Sequence, residues 1–483
     1  MRLRNQAIAG MRWTGLATLV VGALQVFQFV VVAKLLSPAD FGMIGLALVV
    51  IGFLQSYTDL GISAAIIHRQ DASQDELSSL YWLNLLAGAL TFAAFALASP
   101  LIIAFFKAPG LSGLMLFMSL AFLIAPLGSQ FEILLRRDLR FDTLAAFEMA
   151  SAAISSATTV MLAFCGLAAW ALAIGYIANV AIRTLCLVAA GVRRFRVHWH
   201  FSAAEVRSYL AFGLYQLGER SVNYLVERTD QILIGHFLGV RDLGYYNFAY
   251  NLAIQPLSRI NPVVTRVIFP VFSRMQNDRE TLKRWYLKIV HLLTAIHAPI
   301  AGGLAVVAPL AVPLVFGEKW RPSVVLLQLL CVLALLRSTG NPIGSLLLAK
   351  GRADLGLKWN LCFFLLTTPV MLVGVHLFGS VGMVVSMLLV GLLAKIASYF
   401  YLLRPLVGSC GSQFLAALTR PLVPMAVMVA AVAGLSFWRP VVAPGYLLSL
   451  QVGGGIALYI AALGLSDQEI FSQLRLLREK ESE

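Results

Sequence analysis

The sequence predicts an all-α polytopic membrane protein of about fourteen transmembrane helices, and three observations carry that prediction. Its 483 residues are 59% hydrophobic and 12% charged, with a mean hydropathy of +0.83, far from the balance of a water-soluble domain. The apolar residues fall in nearly continuous runs divided by short Gly, Pro and charged punctuation, and a helix needs roughly 20 residues to cross a bilayer core. Lys and Arg alternate between abundant and sparse in successive connections, which is the signature of a chain that crosses repeatedly.

In order, the first spans run 13–35, 40–66, 80–106, 112–135, 143–164 and 168–190. The first exceeds the apolar region of a secretory signal and ends at Val32-Ala33-Lys34-Leu35 without a small-residue cleavage pattern, so it is read as a retained helix. A basic cytoplasmic linker, 191–208, carries Arg193, Arg194 and Arg196, then Ser202-Ala203-Ala204-Glu205, a capping-box pattern suited to starting a seventh helix. The second set runs 209–238, 243–271, 287–315, 323–348, 356–377 and 380–403. Two further spans, 419–438 and 445–465, precede a tail over 466–483. The predicted domains are thus an N-terminal lobe, 1–190, a C-terminal lobe, 209–404, and an extra helix pair within 405–465.

An even number of spans puts both termini on one side. Placing them in the cytoplasm leaves only Lys34, Lys107, Arg241, Lys319, Arg321 and Arg439 outside, and counts Arg183 with the linker on the cytoplasmic side. The clusters Arg193, Arg194, Arg196 and Arg274, Arg279, Lys283, Arg284 then face anionic lipid, so the net charge of +14 calls for no nucleic acid. Cys165, Cys186, Cys331, Cys362 and Cys410 form no CxxC pair and read as small apolar residues, with neither a disulfide frame nor a metal site.

An internal repeat organises the helices. Lys34 to Gly42 recurs as His236 to Gly244 at an offset of 202 residues, aligning Leu36 with Leu238, Asp40 with Asp242 and Gly42 with Gly244. Each copy joins the first two helices of a set of six. Six helices is an even number, so the copies share one orientation, as in transporters with parallel repeats.

Function is sought among the charges inside apolar spans: Arg220, Arg228, Arg259, Arg266, Arg337 and Lys395. An unpaired guanidinium costs several kcal/mol or more in hydrocarbon, so such residues line a water-filled path or bind something anionic. On the seventh helix Gln216, Glu219, Arg220, Asn223, Glu227 and Asp230 form one stripe. No acid there has a base three or four residues away, so their partners are other helices, water or substrate. An interhelical ion-pair network is the structural alternative. On the eighth helix Asn247, Asn251, Gln255, Ser258, Arg259 and Arg266 make a second stripe, and the repeat offset aligns Asn261 with Asp59. For Asn247 and Asn251, interhelical hydrogen bonding stands equal to ligand contact. Arg337 precedes Ser338-Thr339-Gly340-Asn341-Pro342, where Gly and Pro allow a kink. Lys395 is read as snorkelling to the cytoplasmic face, and His291 and His297 as hydrogen-bonded core residues.

The segments Tyr81-Trp82-Leu83-Asn84, Gly244-Tyr245-Tyr246-Asn247-Phe248-Ala249-Tyr250-Asn251, Pro313 to Trp320 and Gly340-Asn341-Pro342-Ile343-Gly344 resemble the bacterial polysaccharide transporter family. These are Wzx-type flippases of the multidrug, oligosaccharidyl-lipid and polysaccharide (MOP) exporter superfamily, and the chain is most similar to the colanic-acid branch. The resemblance implies two six-helix lobes in a V around a central cavity. It further implies export of undecaprenyl-pyrophosphate-linked oligosaccharide across the bacterial inner membrane by alternating access, beside polymerase and glycosyltransferases as partners. Arg220, Arg259 and Arg337, with Asn223, Asn247, Asn251 and Gln255, are the expected substrate contacts, since guanidinium holds phosphate bidentately. Glu219, Glu227, Asp230 and Asp59 are the candidates for coupling to H+ or Na+. No P-loop is present, no cofactor is expected, and no catalytic residue is assigned.

Two other classes compete. A polysaccharide polymerase or ligase would carry a sizeable external loop, whereas connections such as Lys107-Ala108-Pro109-Gly110 are only a few residues. A drug or cation antiporter of the same superfamily would favour an acid-lined cavity over these arginines.

Overall fold

The computed structural model describes residues 2–58, 73–192, 195, 197–202, 206, 221, 223–255, 268–438 and 443–466. The regular structure among those residues is helical, with no strand. The chain divides into two compact units, Met1–Gly244 and Tyr245–Glu483.

The first unit holds α1 (Arg2–Leu35), α2 (Pro38–Thr58), α3 (Gln74–Phe106), α4 (Leu111–Ser119), α5 (Ala121–Arg137), α6 (Phe141–Phe164), α7 (Ala169–Gly191) and α8 over 223–237. Helix α2 starts where Asp40 accepts from both the backbone N and the hydroxyl of Ser37, at 2.9 and 2.6 Å. Helix α3 starts in a full capping box, Ser73 with Glu76. Each satisfies N–H groups that a helix end otherwise leaves open. The capping box expected at Ser202 and Glu205 lies partly outside the described residues. Leu19, Leu97 and Leu101 on these helices are 73 to 81% exposed, a lipid-facing surface that would be untenable in water.

The predicted repeat has a physical counterpart here. A Cβ on Gly42 would lie 1.6 Å from the Val240 carbonyl oxygen, and one on Gly244 would lie 1.7 Å from that of Pro38. The 202-residue offset maps Pro38 onto Val240 and Gly42 onto Gly244, so the contact is reciprocal, each copy resting its glycine on the other's first helical residue. Only glycine permits this approach.

Helix α9 (Val240–Ala253) leads into the second unit, which continues with α10 (Arg279–Phe316), α11 (Ser323–Ser338), α12 (Asn341–Ala349), α13 (Ala353–Ser398), α14 (Gly411–Thr419), α15 (Leu422–Leu435) and α16 (Pro444–Ser466). Helix α13 is two helices joined at Phe378 and Gly379, the latter at φ 62°, a left-handed turn that suits glycine. It runs on through a π turn, Tyr399–Leu403, to Val407. Helices α15 and α16 pack on α10, where the Tyr459 hydroxyl donates to the Ala295 carbonyl at 2.7 Å.

Eleven helices among the described residues are long and apolar enough to cross a membrane. One, Asp354–Val407, contains the Phe378 break and so comprises two of the expected spans. The expected spans 209–238 and 243–271 are described only in part. The tenth expected span is α11 and α12, interrupted at Thr339 and Gly340 where the sequence placed its kink.

Candidate transport site

Asp59, Glu219, Arg220, Arg259, Asn261 and Arg266 lie outside the described residues. The remaining candidates fall on three elements. On α8, Asn223 and Glu227 are exposed. Asp230 is buried, and its carboxylate accepts from the Gln231 backbone N at 2.8 Å. Gln231 also accepts from Arg228 Nη1 at 3.2 Å, while the Arg228 guanidinium sits 5.8 Å from the Tyr224 ring centroid. The Tyr224 hydroxyl in turn donates to the Val49 carbonyl of α2 at 3.0 Å. Of this stripe's charges, Asp230 is thus held by a backbone N–H, and Arg228 beside it by polar and aromatic neighbours.

Just past the end of α9, Gln255 donates to Asn251 Oδ1 at 2.8 Å. Asn247 is buried with neither amide atom hydrogen-bonded. Its neighbours in the motif are structural: Phe248 stacks on the fully buried Trp320 at 4.2 Å and meets Phe316 edge-on at 4.9 Å. Two of the motifs that carry the family likeness therefore form one aromatic knot. A third, Tyr81 to Asn84, fastens the linker, with Trp82 stacked on Trp199 at 4.4 Å and its Nε1 donating to the His198 carbonyl at 2.9 Å.

At the break between α11 and α12, Arg337 is exposed. The Lys395 ammonium donates to Thr339 Oγ1, a partner the sequence reading did not foresee. His297 is buried as expected, with Nδ1 2.7 Å from the Leu293 carbonyl, yet its Nε2 has no partner.

One charged group escaped the sequence reading. Arg183, counted there with the cytoplasmic linker, lies eight residues inside the end of α7 and meets Glu132 of α5 at 2.9 Å, with Arg136 on the same carboxylate oxygen at 2.7 Å. The signal was available, since Arg183 fell inside the predicted 168–190 span. Among the described residues no group of three His, Cys, Asp or Glu could hold a metal.

Residues 31–325 match the family model described as polysaccharide biosynthesis protein. The chain is 37% identical to the lipopolysaccharide biosynthesis protein WzxC of Escherichia coli (strain K12) over 421 residues, 87% of this chain and 86% of that one. It belongs to the Wzx-type polysaccharide flippases. This flippase is also 31% identical to a membrane protein of the cps region of Klebsiella pneumoniae, over 98% of both chains. Its fold matches the lipid II flippase MurJ in an inward closed conformation, with a TM-score of 0.74 at 13% identity, covering 95% of this chain and 99% of that one. The flippase fold is thus that of the MOP exporters.

Proposed function

We propose that this flippase exports undecaprenyl-diphosphate-linked oligosaccharide repeat units across the bacterial inner membrane by alternating access, with both termini in the cytoplasm. The moving parts in this reading are the repeats over 1–190 and 209–404, and the driving force is an H+ or Na+ gradient. The observation that carries it is electrostatic. Between Tyr245 and Ser466 the only carboxylates are Asp278, Glu280, Glu318 and Asp354, all at helix ends, while Arg259, Arg266, Arg337 and Lys395 sit within apolar spans. A membrane interior with cations and no acids of its own suits a diphosphate and is hostile to a cationic drug.

Arg220, Arg259 and Arg337 hold the headgroup in this account, and Asn223, Asn247, Asn251 and Gln255 contact the glycan. Asn247, buried without a partner, is the asparagine best placed to change partners during transport. Glu227 or Asp230 carries the coupling ion, with Glu219 and Asp59 as further acids. Inverted membrane vesicles loaded with the lipid-linked repeat unit test both parts. Wild-type vesicles are expected to translocate it, with the rate falling when the H+ or Na+ gradient is collapsed and in Glu227→Gln or Asp230→Asn. Equal translocation by vesicles lacking the protein would refute the function; full rates in both acid variants would refute the coupling.

A further inference from the structure

Lys395 sits in the membrane-spanning part of α13 with no carboxylate partner. Its ammonium donates to Thr339 Oγ1, and the Thr339 hydroxyl in turn donates a hydrogen bond to the Leu336 carbonyl at 3.3 Å. The hydroxyl is therefore occupied as acceptor and as donor, and it brings no negative charge. An ammonium has three donors, so two N–H groups remain. Arg337, two residues before Thr339, is exposed and likewise has no carboxylate partner. The interruption itself matters, because α11 ends and α12 begins at Thr339 and Gly340, so the cation is tied to the one place in this span where the backbone ladder is already broken.

From this geometry we infer that Lys395, held by Thr339 at the α11–α12 break, is an oxyanion subsite of the second unit. The inference rests on the proposed export of an anionic lipid-linked glycan and adds a residue to it that neither stripe contains. A partly buried cation without a counter-ion is costly in an apolar surrounding, and a ligand oxyanion removes that cost with charge-assisted hydrogen bonds. The hydroxyl fixes where the ammonium waits, and the break leaves the adjacent segment free to adjust when the anion arrives. The oxyanion has two sources in such a substrate, the diphosphate of the carrier lipid or an acidic sugar of the glycan.

The test is binding to purified full-length protein, with inorganic pyrophosphate, undecaprenyl diphosphate and glucuronate as separate probes. Lys395→Met removes the charge and the hydrogen bond. Lys395→Gln removes the charge but still donates to Thr339, and so separates the two effects and covers failure of the methionine variant to fold. Both are expected to bind pyrophosphate on the order of tenfold more weakly than wild type, while Lys395→Arg recovers most of the affinity, a rescue that a packing role would not give. Parallel loss for undecaprenyl diphosphate assigns the subsite to the carrier, and parallel loss for glucuronate assigns it to the glycan. No binding of any probe by wild type, or equal affinity in a folded neutral variant, overturns the inference. Translocation in vesicles is read separately: if wild type moves no lipid-linked glycan, the proposed function falls, while weaker pyrophosphate binding in Lys395→Gln still stands for the subsite.

Discussion

Among the described residues, charges within the membrane spans of the two units are met in different ways. In the first, Arg183 and Arg136 converge on Glu132. In the second, Arg337 and Lys395 have no carboxylate to meet. A charge that is answered within its own unit serves the fold, because removing one partner strands the other. A charge left unanswered costs stability in the resting protein, and that cost is recovered when an anion binds.

The largest effect is expected where the second unit's positive charge is removed. Arg337→Ala is predicted to reduce translocation of the lipid-linked repeat unit by about tenfold or more, with thermal stability in detergent unchanged or slightly raised. Next comes a change that would erase the contrast: Thr339→Asp gives Lys395 the counter-ion it lacks, and should hold or raise the unfolding temperature while slowing transport. Smaller is the converse change in the first unit. Glu132→Gln leaves Arg183 without its charged partner and should destabilise by about 1 kcal/mol, discounted because the Arg183 side chain is 37% exposed. The double variant Glu132→Gln, Arg183→Gln should cost less than the sum of the two singles, measurable as a coupling energy in a double-mutant cycle.

The smallest effect concerns Asp278, which caps α10 by accepting from the Thr281 backbone N at 3.1 Å. The hydrogen bonds from Thr281 hold this exposed carboxyl below its usual range. A carboxyl with a depressed folded pKa stabilises above its unfolded pKa, and the gain is lost as pH falls through the folded value. Amide exchange at the start of α10 should therefore be faster in Asp278→Ala near neutral pH and become alike in the two proteins in strong acid.

Much of the fold was legible because membrane insertion writes it in composition. Apolar runs and the alternation of Lys and Arg located the spans, and Gly42 and Gly244 were legible as equivalent positions of a repeat, though not as the close contact they make. The kink at Gly340 and Pro342 was legible because Gly and Pro allow one. Partner choice was not. A one-dimensional reading places Lys395 by its distance from the expected helix end at residue 403, and it cannot show that the ammonium meets Thr339, 56 residues away in sequence. Arg183 was assigned by sign and not by span, and its ion pair with Glu132 joins helices that the sequence separates by 51 residues. The asparagines illustrate the limit from the other side: Asn251 and Asn247 looked equivalent as members of one stripe, and only packing shows that the Asn251 side chain is hydrogen-bonded to Gln255 while the buried Asn247 amide has no hydrogen bond.

The most direct test of this contrast is a paired measurement in inverted vesicles, comparing Arg337→Ala with Arg183→Ala at matched expression for translocation rate and unfolding temperature. The account predicts that Arg337→Ala loses transport and keeps its stability, while Arg183→Ala loses stability and keeps its rate per folded molecule. Full transport by Arg337→Ala, or a loss of stability equal to that of Arg183→Ala, would contradict it.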